Sequence, residues 1–361
     1  MEYYIEEIER GNRVKRTAAI KARDDIDSIL IKQGVIPLHI PSVENDRRGK
    51  PLIMRFLYHF KLYKLWEKGI SSIKRGDVLY IQFPLIEHFL FQSFLIKAIE
   101  KRGCKVVLLL HDLDSIRYMG RKKISFFELL RIMIEERTSI KYASKLVVHN
   151  TKMIEKLVGL GVKRERITDI QIFDYLITNF DENKTQRIED ADLHEIIIAG
   201  NLARHKAGYV YCLPDGCKYN LYGVNYSGQE KADVEYHGSF EPEELYQKMR
   251  GSFGLIWDGE SASTCSGSYG EYLKINNPHK TSLYLASGIP VIIWKEAALA
   301  EFVINNDCGI CVSSLIEIPE VLHKMSKEEY NVLKSNALEV GKRLRDGYYT
   351  QKIIEKIRNE L

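Results

Sequence analysis

Twelve short and almost uninterrupted apolar runs constrain this chain more than any other feature. Six come early, YYIEEI, VIPLHI, DVLYIQF, CKVVLLLH, KLVVHN and ITDIQI, and six come late, IIIAG, YNLYGV, VEYHGS, FGLIWD, PVIIW and GICVS. A strand with one face in water alternates apolar and polar residues. A strand covered on both faces reads as a continuous apolar run, which is the pattern of a parallel sheet sandwiched by helices. The intervals carry helical spacing, as in Arg23 to Gln33, Leu52 to Lys68, Glu87 to Lys101, Phe126 to Tyr142 and Lys152 to Leu160. The chain is therefore expected to be α/β and built of successive βα units.

The two series are separated by TNFDENKTQRIEDADLHE, which is polar and acidic and has almost no apolar periodicity. It reads as a linker over residues 177–194, between a Rossmann-like domain over 1–176 and a second over 195–339. Both are expected to be doubly wound and to face each other across a cleft. Tyr330 to Leu361 is helical and highly charged, with no strand after it to cover. Its last part, about 340–361, is expected to cross back to the first domain, with Gly341 and Gly347 permitting a kink. At 361 residues and 45% hydrophobic, the chain can give each domain its own core.

The formal net charge of +4 is the small difference of 53 basic and 49 acidic side chains, which is no match for a nucleic acid. MEYYIEEIERGNRVKR has no apolar segment of signal-peptide length, and LIEHFLFQSFLIKAI is too short and too interrupted to span a bilayer. A cytoplasmic location is expected, extending to the inner face of the membrane. The basic sets Arg13, Lys15, Arg16, Lys21, Arg23 and Arg121, Lys122, Lys123 could touch acidic lipid or a negatively charged substrate, although a solvated face is the commoner use of such residues. Six scattered cysteines are expected to be reduced thiols; Cys308 and Cys311 make a C-x-x-C, but its second cysteine lies in the apolar run GICVS rather than at a helix start.

In a doubly wound sheet the ligand sits beyond the carboxyl ends of the strands. In the second domain those ends are followed by Asn201 to Arg204, by Gly238-Ser239, and by a Gly/Ser-rich loop from Asp258 to Asn277. Pro278 can open a helix that runs through Thr281 and stops at Gly288, leaving its first N–H groups free for phosphate oxygens. Lys274 and Lys280 add charge beside it, and Arg204 offers a planar fork. The cluster suits a diphosphate. Neither a G-x-G-x-x-G fingerprint nor a P-loop is present.

The segments NNPHKTSLYLASGIPVIIWKEAALAEFV, AGNLARHKAGYVY and YNLYGV resemble the donor domain of the bacterial galactofuranosyltransferase and glucosyltransferase 3-like family of GT-B enzymes. RTAAIKARDDIDSIL, LLLHDLDSIR and VVHNTKMIEKL resemble its first domain, so the likeness covers nearly the whole chain. The resemblance implies a hexosyltransferase that moves galactofuranose or glucose from a UDP-sugar to an acceptor glycan, lipid-linked or protein-linked, in cell-surface polysaccharide or glycoprotein assembly. It implies donor contacts from Thr17, Arg204, Tyr272, Lys274, Lys280 and Thr281, with Asn201 and Asn277 nearby. Of the E-x7-E pattern of many retaining GT-B enzymes, Glu271 is present, but His279 stands where the second Glu would be.

Loss of UDP develops negative charge on the diphosphate, and fixed cations with a helix dipole can stabilise it without a metal. No metal or other cofactor is therefore expected. If the reaction inverts, Asp112 or His111, just after CKVVLLL, are the candidates to take the acceptor's proton, against a reading as a capping Asp and a packed His. A homo-oligomer is left open. The rival readings are a non-catalytic glycosyltransferase-like subunit and a UDP-sugar epimerase.

Overall fold

The computed structural model describes residues 1–8, 18–41, 51–86, 91–117, 126–181, 192–229 and 231–361. Two six-stranded parallel sheets form, and each apolar run supplies one strand. In the first sheet the order is β2-β1-β3-β4-β5-β6, with β1 at Glu2–Ile8, β2 at Ile36–Pro41, β3 at Val78–Phe83, β4 at Lys105–Leu110, β5 at Lys145–Val148 and β6 at Ile167–Asp169. Every pairing is parallel and in continuous register, for example Val78 with Lys105 through Phe83 with Leu110. Because the order reverses at β1, right-handed crossovers place the helices on both faces.

Helix α1 (Ala18–Lys32) covers one face of that sheet. Helices α2 (Leu52–Gly69), α3 (Gln92–Lys101), the short α4 (Asp114–Arg117), α5 (Phe126–Tyr142) and α6 (Thr151–Gly159) follow the later strands. The core divides accordingly. Tyr4, Ile26, Ile29, Tyr80 and Leu109 pack on the α1 side, while Tyr3, Leu62, Trp66, Ile99 and Leu108 pack under α2 and α3. Alternate residues of β1 and β4 thus point into different apolar layers, which is why Tyr3 to Ile5 and Val106 to Leu110 are apolar without a break.

The second sheet has the order β12-β11-β10-β7-β8-β9. Its strands are β7 (Glu195–Asn201), β8 (Lys218–Val224), β9 (Val234–Tyr236), β10 (Phe253–Ile256), β11 (Val291–Trp294) and β12 (Gly309–Val312). Its helices are α7 (Arg204–Ala207), α8 (Pro242–Lys248), α9 (Gly267–Leu273), α10 (His279–Ala286), α11 (Ala300–Asn305) and α12 (Ile318–Lys324). Cys308 lies buried at the start of β12, its thiol pushed up to about 12 by burial, as suits a structural rather than a redox cysteine.

The chain ends in α13 (Lys327–Arg345), capped by Ser326 and Glu329, and α14 (Tyr348–Glu360). The kink falls at Gly347, whose φ of 75° is left-handed. Gly341 is not a break. It lies within α13, where a Cβ would stand 2.2 Å from the carbonyl oxygen of Leu285, so it lets α13 press against α10. Helix α14 reaches the first sheet: Arg358 pairs with Glu2, and Lys145 with Glu360 at 2.6 Å. Among the described residues no helix is long and apolar enough to cross a membrane.

Candidate active site between the two lobes

The carboxyl ends of β4 and β10 approach each other through α4 and α9. His111 and Asp112 leave β4, and α9 carries Tyr272 across to them. The Tyr272 hydroxyl accepts the Leu113 N–H at 2.8 Å and donates to Asp112 Oδ1 at 3.0 Å. Burial and the nearby Asp112 carboxylate raise the Tyr272 phenol well above its ordinary value, so it remains a donor. Arg117 holds the other carboxylate oxygen of Asp112 at 2.6 Å.

His111 lies face to face with Phe173, the ring centroids 5.3 Å apart, and its Nε2 is 2.6 Å from Gln82 Oε1. The Gln82 amide nitrogen donates to Arg23 O at 3.2 Å and to Asp27 Oδ1 at 2.7 Å, so its oxygen must face the imidazole. Nε2 of His111 is then the protonated nitrogen, and Nδ1 keeps its lone pair. Burial, then the charge of Arg23, lowers the imidazole well below its ordinary value, leaving it neutral at pH 7. Burial pushes Asp27, at the far end of this chain of groups, up to about 8.

In the second lobe Arg204 stands exposed at the end of β7, its guanidinium 3.9 Å from the Tyr211 ring centroid. Lys206, two residues on, lies 5.6 Å over the Tyr269 ring of α9. Neither forms an ion pair among the described residues. The aromatic faces hold these cations without neutralising them. Asn201 accepts from Ala203 N–H and from Asn225 Nδ2, both at 3.1 Å, so its oxygen fixes two loops at the strand ends while its amide N–H groups stay available. Gly200 and Gly223 oppose each other there. A Cβ on Gly223 would fall 1.7 Å from Gly200 O, so only glycine permits the close approach of the two strand ends.

Several residues expected to contact the donor have partners within the protein in this structure. Asn277 is buried and fully bonded to the first lobe. Its backbone N–H donates to His149 Nδ1 at 2.8 Å, its Nδ2 donates to His149 O and Gln171 O, and its Oδ1 accepts from Asn150 at 2.7 Å. It has nothing left for a nucleotide. His149 can accept because burial lowers it to about 4 and keeps it neutral. Tyr272 likewise spends its hydroxyl on the first lobe.

Pro278 is the N-cap of α10 rather than part of its first turn. Thr281 is completely buried, its hydroxyl without a partner. Lys274 lies between Glu271 at 3.2 Å and Glu296 at 3.5 Å, so its charge is offset twice. Lys280 pairs with Asp258 at 3.1 Å and donates to Trp257 O at 2.6 Å, tying α10 to the end of β10. The helix start that was expected to cradle a diphosphate is thus largely packed against the first lobe. Among the described residues at these strand ends, Arg204 and Lys206 form no ion pair. Thr17, with Arg13, Lys15, Arg16 and Arg121 to Lys123, lies outside the described residues.

Lys206, Gln82 and Arg117 escaped sequence reasoning. The signal for Lys206 was available, since it sits one turn-step from Arg204 in the segment AGNLARHKAGYVY. Gln82 and Arg117 gave none, because their partners are distant in the chain or lie across a short turn.

Residues 2–172 match the glucosyltransferase 3-like N-terminal domain and residues 196–357 its C-terminal domain. The chain is 33% identical to the β-1,6-galactofuranosyltransferase WbbI of Escherichia coli K12, across 99% of both chains. It is 23% identical to glucosyltransferase 3 of Streptococcus gordonii, across 79% of this chain and 80% of that one. Among solved structures the fold is similar to that of Anabaena HepE in complex with UDP, with TM-score 0.58, 12% identity, and 99% and 100% of the two chains covered. A sucrose-phosphate synthase from Thermosynechococcus elongatus gives TM-score 0.60 at 12% identity, with 99% of each chain covered. Two facing parallel α/β lobes, matched from end to end by one family, make this chain a member of the glucosyltransferase 3-like family of GT-B glycosyltransferases.

Proposed function

We propose that the protein transfers a hexose from a UDP-sugar to an acceptor glycan of the cell surface, with UDP-galactofuranose and UDP-glucose the donors to test. The full-length likeness to a galactofuranosyltransferase supports the first donor, and the more distant likeness to glucosyltransferase 3 supports the second. The carrying observation is a pair of unneutralised cations, Arg204 and Lys206, at the strand ends of one lobe, with a neutral imidazole at the strand ends of the other.

In this reading the diphosphate lies at the ends of β7 and β8, where Arg204 supplies the fork and Lys206 a second charge. As the acceptor oxygen bonds to the anomeric carbon, the bond to the diphosphate breaks and UDP leaves with the electron pair. The cations are in place before that charge develops, so little reorganisation is required. The acceptor's proton goes to Nδ1 of His111, whose lone pair is oriented by Gln82 holding Nε2–H. Asp112, held by Arg117 and Tyr272, positions the loop rather than taking the proton. No metal is invoked in these steps, and activity is expected to survive a chelator.

Thermal stabilisation by a panel of UDP compounds tests the proposal. Stabilisation by UDP and by one UDP-hexose, lost in Arg204→Ala, is the expected outcome. No stabilisation by any UDP compound would refute it.

A further inference from the structure

The face of the first sheet that carries α2, α3 and α5 repeats one pattern on three neighbouring helices. On α2, Ile53, Met54, Phe56, Leu57 and Phe60 are exposed in the first turns, and Lys61, Lys64 and Lys68 are exposed in the following ones. On α3, Phe94 is 62% exposed and is followed by Lys97 and Lys101. On α5, Leu130 and Ile134 are exposed and are followed by Arg137 and Lys141.

The three helices run side by side in the same direction, each returning from the carboxyl end of a strand. Their levels match. Phe91, at the start of α3, packs edge-on against Phe56 at 5.7 Å and Tyr63 at 6.1 Å of α2. Further along, Lys97 lies 4.8 Å over the Tyr142 ring of α5 and Lys141 lies 6.0 Å over the same ring. The exposed apolar residues therefore form one band near the cleft, and the cations form a belt behind it.

Six of these side chains, from Ile53 to Phe94, together expose on the order of 600 Å² of apolar surface, at the upper end of what a soluble chain ordinarily shows as one patch. The carboxylates on this face are mostly engaged. Glu67 pairs with Lys64, Glu135 with Arg131, and Glu136 with Ser115. An apolar band backed by a cationic belt, on helices of which none described is long and apolar enough to cross a bilayer, has the chemistry of a surface that lies in a membrane interface.

We infer that this face docks on an anionic phospholipid bilayer, the apolar band entering the headgroup boundary and the lysine belt meeting the lipid phosphates. This surface chemistry is independent of the sugar transferred. The apolar band lies at the same strand ends that carry His111 and Asp112. The acceptor side of the cleft would therefore open next to the bilayer, where a lipid-carried acceptor sits.

The test is co-sedimentation of the full chain with phosphatidylcholine vesicles, with and without phosphatidylglycerol, for wild type, Ile53→Ser/Leu57→Ser/Phe94→Ser, and Lys61→Gln/Lys68→Gln/Lys101→Gln. Wild type should bind the phosphatidylglycerol vesicles and be released by salt. The serine variant should lose at least about tenfold of that binding, and each cation removed should cost about fivefold. An unchanged melting temperature shows that the variants are folded. No binding by wild type, or equal binding by folded variants, overturns the inference. So does a concentration-dependent wild-type dimer that the serine variant abolishes, since the band would then be covered by a second copy.

Discussion

Tyr272→Phe deletes one oxygen atom and with it the two hydrogen bonds that join α9 to the loop after β4. The phenol is buried, accepts the Leu113 N–H at 2.8 Å and donates to Asp112 Oδ1 at 3.0 Å. Losing a bond to a carboxylate costs about 1.5–3 kcal/mol, and leaving a buried amide N–H unpaired costs about 1–3 kcal/mol. Because the loop can partly relax, a total of about 2–4 kcal/mol is expected. For lobes of this size that corresponds to a fall of roughly 5–10 °C in melting temperature.

The assay is a thermal melt of wild type, Tyr272→Phe, Asp112→Ala and the double variant. The two single effects should not add, with a coupling on the order of 1–2 kcal/mol. The same substitution should lower kcat, since the loop that carries His111 loses its tether to the donor lobe. A change below about 1 °C, or additive effects in the double variant, would refute the idea that Tyr272 fastens the lobes through Asp112.

Lys280→Ala should destabilise the fold by about 3–5 kcal/mol, because Asp258 would be left as a buried charge without its partner, and chemical denaturation would measure it. Arg204→Ala and Lys206→Ala, both at half-exposed or exposed positions, should leave the melting temperature within about 1 °C yet weaken UDP binding by roughly tenfold each, read by calorimetry. Gln82→Leu should lower kcat with little change in KM, since it frees the His111 ring without touching substrate; an unaltered kcat would remove His111 from the reaction. Burial pushes Asp174 up to about 7, above its unfolded value of roughly 3.9, so the folded state holds the extra proton between those values and its contribution declines as pH rises from about 4 to about 7. The melting temperature of Asp174→Asn relative to wild type should therefore rise between pH 5 and pH 8, and a constant difference would contradict that assignment.

The strands were legible because a doubly covered parallel strand must be apolar on both faces, and an unbroken run such as Val106 to Leu110 can satisfy that only inside such a sheet. The helix opened by Pro278 was legible within a residue, since proline restricts the backbone locally. What Asn277 and Tyr272 do was not. Both lie in a segment whose composition suits a ligand loop, yet their partners are His149 and Asp112, more than a hundred residues away. Charge bookkeeping failed at Lys274 for the same reason, as Glu296 comes beside it only when β11 is in place. The place of Arg204 was legible, because the segment AGNLARHK puts it three residues beyond the end of a strand.

The most direct test of the account is a transfer assay that follows UDP release from UDP-galactofuranose and UDP-glucose, with and without an acceptor glycan, for wild type, Arg204→Ala and His111→Ala. Acceptor-dependent UDP release from one of these donors, reduced by both substitutions, is the expected result. Release that needs no acceptor, or that survives the loss of Arg204 and His111, would contradict it.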